Sequence, residues 1–182
     1  AMMRIAPLAQ AQGVAVRYRP FLLGPLFKAQ GWDTSPFNLY GAKGRNMWRD
    51  LQRLCGDLAL PFHRPEPFPQ NSLLAARVAL VGLNADWGEA FCRAVFHAEF
   101  AESRQIDDTV VIRDLLGRLN IGAASVLEAA ASEQNKLALR RQTEEAQRHG
   151  IYGAPSFTTA DGELFWGNDR LERALAWARG KC

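Results

Sequence analysis

The 182-residue sequence is short of cysteine and histidine, with three of each. Cys55, Cys92 and Cys182 form no Cys-x-x-Cys pair, and their number is odd. This argues against a disulfide scaffold and against a dithiol redox centre. Cys55 and Cys92 fall inside helical patterns and read as small core residues, whereas Cys182 is terminal and expected to be exposed. His63, His97 and His149 have no carboxylates at ligand-like spacing, so no metal site is expected. His149 instead suits the last turn of a helix. No apolar run is long enough to span a bilayer, and no secretory signal is expected. The reading is of a cytoplasmic protein away from the membrane. The basic surplus is also small, a net charge of +3 with Lys and Arg scattered among acids. Nucleic acid is therefore not the expected partner, and small anionic ligands fit better.

What is present is enough apolar material for a full core, at 48% hydrophobic and 23% charged residues. The length allows one domain, or one domain carrying an insertion. Two stretches near the C-terminus stand out. Gly150-Ile151-Tyr152-Gly153-Ala154-Pro155-Ser156-Phe157 leads from a helical pattern into a strand-like run. Pro155 is tolerated at a strand entry and is a candidate cis bond. With that geometry the N–H and C=O of Ala154 would face outward and could pair with an extended peptide-like ligand. The glycines would let the ligand approach closely. A helix C-cap followed by an ordinary turn explains the same segment. The second stretch, Phe165-Trp166-Gly167-Asn168-Asp169-Arg170-Leu171, runs from a strand into a terminal helix with Asn168 or Asp169 as its N-cap. Together the two offer backbone pairing, an anion seat and a carboxylate for an ammonium, which a zwitterionic peptide needs.

Read in order, Ala1 to Gln12 is helical and stopped by Gly13. Val14 to Arg19 alternates like a strand ended by Pro20. Phe21 to Ala29 holds a short helix, and Trp32 to Gly41 reads as loop. A helix over Lys43–Leu58 carries Met47, Leu51, Leu54 and Leu58 on one face. Leu60 to Asn71 contains Pro61, Pro65, Pro67 and Pro69, so it is extended and able to line a groove. Helices follow with expected caps at Ser72, Asp86, Asp107 and Ser132, together with one over Ala123–Ala131. A hairpin turning at Asp161-Gly162 and a last helix close the chain. A lone N-terminal strand needs a partner, so it is expected to pair with the C-terminal hairpin. The predicted fold class is α/β: a sheet built from both chain ends, residues 1–31 and 150–182, with an inserted all-helical domain over 32–149.

These residues resemble a thioredoxin-like family, the 2-hydroxychromene-2-carboxylate isomerases, relatives of kappa-class glutathione transferases. The resemblance runs through Arg17-Tyr18-Arg19-Pro20-Phe21-Leu22-Leu23-Gly24, Asp50-Leu51-Gln52-Arg53, Gly153-Ala154-Pro155 and Trp166-Gly167-Asn168-Asp169-Arg170-Leu171. It implies a thioredoxin-like sheet, glutathione as cofactor, a small aromatic carboxylate as substrate, and a homodimer as in many relatives. By the same resemblance Ala154 and Pro155 take the cysteinyl part of glutathione. Trp166, Gly167, Asn168 and Asp169 take its γ-glutamyl end. Lys28 pairs with the substrate carboxylate, Asn38 bonds to it, and Phe68 lines its ring. Bland readings stand beside these: Lys28 as a solvated helix end, Asn38 as a turn residue, Phe68 as core or groove wall.

The family also opens with a strand and a Ser-Pro-Tyr/Phe stretch whose serine favours the glutathione thiolate. This chain begins inside the following helix, and neither Ser35 nor Ser156 stands in the matching position. The catalytic residue is accordingly unassigned. The expectation is either that residues precede Ala1 in the natural protein, or that this form is inactive. The leading functional expectation is a glutathione-dependent isomerase. The alternatives are a kappa-like glutathione transferase and a non-catalytic glutathione- or peptide-binding module. A dithiol oxidoreductase on the same fold would need a Cys-x-x-Cys pair.

Overall fold

Glycine and proline punctuate the helices of this computed structural model, which describes residues 1–180. Cys182 therefore lies outside the described residues. Helix α1 spans Ile5–Gln12 rather than starting at Ala1, because Pro7 can stand only in a first turn. Gly13 ends it in the left-handed conformation. Helix α2 covers Leu23–Ala29. The segment expected to be all loop contains a single-turn helix, α3 (Pro36–Leu39), with the Ser35 hydroxyl accepting from Phe37 N. Helix α4 runs over Gly41–Asp57.

The remaining helices are α5 (Leu73–Leu83), α6 (Gly88–Phe100), α7 (Thr109–Arg118), α8 (Ala123–Ala131) and α9 (Glu133–Arg148). Ser132 caps α9 as expected, accepting from Asn135 N. Three other caps differ from expectation. Asn71, not Ser72, accepts from Leu73 N at the start of α5. Asp108, not Asp107, caps α7 through Val110 N. Helix α6 has Trp87 at its N-cap position and no side-chain cap, so Asp86 does not serve. Its start is set instead by a close backbone approach: a Cβ on Gly88 would lie 2.4 Å from Leu83 N.

The hairpin is β1 (Ser156–Thr158) and β2 (Leu164–Trp166), antiparallel, with Phe157 opposite Phe165. The Asp161 carboxylate accepts from Thr159 Oγ1 and from Trp177 Nε1, so the turn is tied to the last helix. That helix, α10 (Leu171–Ala178), follows a 3₁₀ turn over Asn168–Arg170. The intervening turn is why neither Asn168 nor Asp169 caps α10.

The expected ladder between Val14–Arg19 and the hairpin is not formed. The described sheet has two strands only. Residues 14–19 are extended and alternate in burial as a strand does, with Val14, Val16 and Tyr18 packed against a cluster of Ile5, Ala9, Leu171 and Leu175. Alternation reports which side faces a core, and a core can be supplied without a ladder partner. The segment is held instead by side chains: Arg19 donates to Gln142 and Glu145 on α9, and Leu22 N donates to Thr143 Oγ1.

A larger apolar cluster forms around α5, which packs on α6, α8 and α9. Its centre includes Val78, Phe91, Ile112, Leu115 and Leu116, all nearly sealed from solvent. One apolar cluster thus gathers α1 and α10, and the other gathers around α5. Among the described residues no helix is long and apolar enough to cross a membrane.

Candidate functional site

The loop after α9 and the turn after β2 lie against each other. Gly150 takes a left-handed conformation at the end of α9. Gly153 lies under the Trp166 indole, where a Cβ would come within 2.5 Å of Nε1. Only glycine allows this approach. Tyr152 packs on the other side of the same indole, with ring centroids 5.0 Å apart. The Ala154–Pro155 peptide is cis, as are Glu66–Pro67 and Phe68–Pro69. Gly167 N donates to Pro155 O at 3.0 Å, and Ser156 Oγ donates to Gly153 O at 2.8 Å. Among the described residues nothing bonds to the N–H or C=O of Ala154. Gly167 has φ +109, and a Cβ there would meet the Asp169 carboxylate. Asp169 is exposed and pairs with Arg170 at 2.9 Å.

The structure thus brings Ala154, Pro155, Trp166, Gly167, Asn168 and Asp169 together, and it distributes them over two faces. Ala154, Pro155 and Asn168 line a large cavity of about 900 Å³. Trp166, Gly167 and Asp169 line a shallower pocket of about 620 Å³ with Tyr152, Arg170 and Arg173. Asn168 is oriented by a residue the sequence did not single out. Arg4, at the N-cap of α1, donates to Asn168 Oδ1 at 3.2 Å and pairs with Glu172 on α10.

The three expected substrate residues fall elsewhere. Lys28 is exposed in the last turn of α2. Asn38 and Phe68 meet each other: Asn38 Nδ2 donates to Phe68 O at 3.2 Å and to Thr34 Oγ1 at 3.1 Å. The Phe68 ring stands edge-on to Trp48, at 4.7 Å. None of the three lines the large cavity. The far wall of that cavity comes instead from Leu51, Leu54 and Cys55 of α4 and from Phe62, Phe96 and Phe100. The available signal for the aromatic part was the Phe96–Phe100 pair, one turn apart on α6.

Electrostatics in this region favour neutral thiols. Burial raises the Cys55 thiol, and burial together with Glu89 pushes Cys92 up to about 11. Neither is poised as a nucleophile, and both are half-buried helix residues. Tyr18 is pushed up to about 12 by burial and by the Glu89 carboxylate, while its hydroxyl is sealed from solvent with no partner in hydrogen-bonding geometry. Among the described residues no group of three His, Cys, Asp or Glu side chains converges on a point that could hold a metal.

Comparison with known proteins gives the family. The family model of the DSBA-like thioredoxin domain matches residues 1–176. A 2-hydroxychromene-2-carboxylate isomerase from Sphingobium xenophagum is 27% identical over 173 residues, covering 94% of this chain and 87% of the relative. Glutathione S-transferase kappa 1 from Homo sapiens is also 27% identical over 173 residues, covering 87% of this chain and 75% of the relative. A solved structure of 2-hydroxychromene-2-carboxylate isomerase superposes with a TM-score of 0.83 at 25% identity, over 99% of this chain and 87% of that one.

Proposed function

Since the chain belongs to the DSBA-like thioredoxin domain family, we propose that it is a glutathione-dependent isomerase acting on a small conjugated aromatic carboxylate of the 2-hydroxychromene-2-carboxylate type. The observation that carries this reading is the loop pair. Its open Ala154 backbone lines the same apolar cavity as Asn168, and Asp169 follows in the turn that bonds to Pro155 O through Gly167 N. The residues present fit glutathione. The unpaired Ala154 groups can accept a bound peptide as a strand edge does. Asp169 offers a carboxylate to the γ-glutamyl ammonium. Asn168, fixed by Arg4, presents its amide beside it.

Glutathione held by Ala154, Asn168 and Asp169 would supply a nucleophilic thiolate for reversible addition to the conjugated substrate, and none would be consumed. The chain's own task is to fix the two molecules in one orientation, which lowers the entropic part of the barrier. The apolar wall of α4 and α6 would shield the space between them from water once both are bound. Dithiol chemistry would need a Cys-x-x-Cys pair, and none occurs within residues 1–182. The kappa-class relative favours one alternative, a transferase that releases a conjugate. Product analysis separates the two, since an isomerase leaves the glutathione concentration unchanged.

The test is a calorimetric titration of the protein with glutathione. We expect saturable binding that weakens about tenfold or more in Asp169→Ala, the scale of one charge-assisted hydrogen bond. No binding to a folded sample would sink the reading.

A further inference from the structure

Residues 14–19 are extended yet belong to no ladder. Among the described residues their backbone makes one hydrogen bond, from Val14 N to Ala9 O. Strand β1 is paired on one side only. Pro155 O accepts from Gly167 N and Thr159 N donates to Glu163 O, both across the hairpin. Main-chain groups alternate in direction along a strand, so those of Ser156 and Thr158 face away from β2. Among the described residues none outside the hairpin bonds to them. These two unpaired edges border the same cavity of about 900 Å³.

An unpaired strand edge is a template for another strand, and here one strand can serve two edges at once. A small molecule cannot pair with a row of amides, whereas an extended backbone does so by its own repeat. The character of its side chains follows from what else lines the cavity. Ile5, Leu171 and Leu175 come from α1 and α10, and Leu51, Leu54 and Phe100 from α4 and α6. A strand covered by helices on both faces is a continuous apolar run rather than an alternating one. Among the described residues, the lining also carries four arginines (Arg4, Arg17, Arg19 and Arg179) against a single carboxylate, Glu145. Acidic flanks complement that charge. We propose that the cavity is a docking slot for an extended, continuously apolar segment of about five residues with acidic flanks. A separate polypeptide donates it, and it pairs as a strand between Val14–Arg19 and β1. Ala154 precedes β1, so its main-chain groups stay open, and the slot does not rest on the glutathione reading.

The experiment titrates the protein, by calorimetry, with the peptide acetyl-Glu-Val-Ile-Val-Leu-Val-Glu-amide. Its control has the same sequence N-methylated at alternate residues, which keeps every side chain and removes the N–H groups of one edge. We expect saturable binding of the first and binding about tenfold weaker or more of the control, the scale of two or three hydrogen bonds. Lysine in place of both glutamates should weaken binding about threefold or more at low salt. In amide hydrogen exchange the peptide should slow Ser156, Thr158 and residues 15–19 by about tenfold or more. No peptide binding, equal binding of the methylated control, or no slowing at those amides would overturn the slot. Competition between peptide and glutathione would also overturn it, by placing the peptide on the Ala154 loop. Equal binding of the lysine peptide would overturn the acidic flanks. Slowing of the same amides by rising protein concentration alone would give the slot to a second copy and overturn the separate partner. Peptide binding with this exchange pattern in a protein that ignores glutathione would keep the slot and sink the glutathione reading.

Discussion

Glu99 is a buried carboxylic acid on α6. Its side chain is only 7% exposed, on α6, and burial alone pushes its carboxyl up to about 7 from an ordinary value of 4.5. Below pH 4.5 it is protonated in both the folded and the unfolded chain and costs nothing through ionisation. Between pH 4.5 and about 7 the unfolded chain loses this proton while the folded one keeps it, so stability falls as pH rises. Above about pH 7 the loss is complete, on the order of 3 kcal/mol. Glu99→Gln should therefore flatten the decline and be more stable than the parent at pH 8, with little difference at pH 4. Urea unfolding at both pH values measures this, and a parallel decline in the variant would show that Glu99 is not its source. Tyr18 stands in contrast, since its hydroxyl, pushed up to about 12, stays neutral throughout the working range.

At the scale of elements, the caps show what local sequence can and cannot decide. Ser132 is the one capping residue at its helix start, and it bonds to Asn135 N as expected. Where two capping residues are adjacent, as in Asn71-Ser72 and Asp107-Asp108, composition marks the helix start but not which oxygen reaches the free N–H. Ser132→Ala should cost about 1 kcal/mol in chemical denaturation, and a change near zero would mean the α8–α9 junction is held by Asn135 alone. That residue donates through Nδ2 to Arg77 O and Ala130 O. The site divides in the same way. The Gly153–Pro155 and Trp166–Asp169 stretches were legible because each is one contiguous motif whose partners are a few residues away. The aromatic wall was not, because Phe62 and Phe96 come from separate elements and only packing makes them neighbours. Val14–Arg19 showed its buried face in its alternation, while its hydrogen-bond partners depend on distant chain that alternation does not describe.

In the whole molecule the two apolar clusters are separate. One lies between α1 and α10, the other around α5. Leu116 is fully buried in the second, and Leu116→Ala should cost about 2–5 kcal/mol. Hydrogen exchange should then show the amides of α5 to α8 losing more protection than those of α10. Uniform loss across both would mean that the clusters unfold as one. Helix α6 is the element through which the second cluster meets the cavity, since one of its faces is core and the other is cavity wall. Its double role has a thermodynamic consequence. Any ligand held against the Phe96 face would bind only while α6 is folded, and would so add to the stability of the cluster around α5. At a concentration a hundredfold above its dissociation constant, such a ligand adds about 2.7 kcal/mol to the stability of the folded state. That is comparable to restoring a buried leucine. Heat resistance would then rise with the concentration of whatever occupies that face.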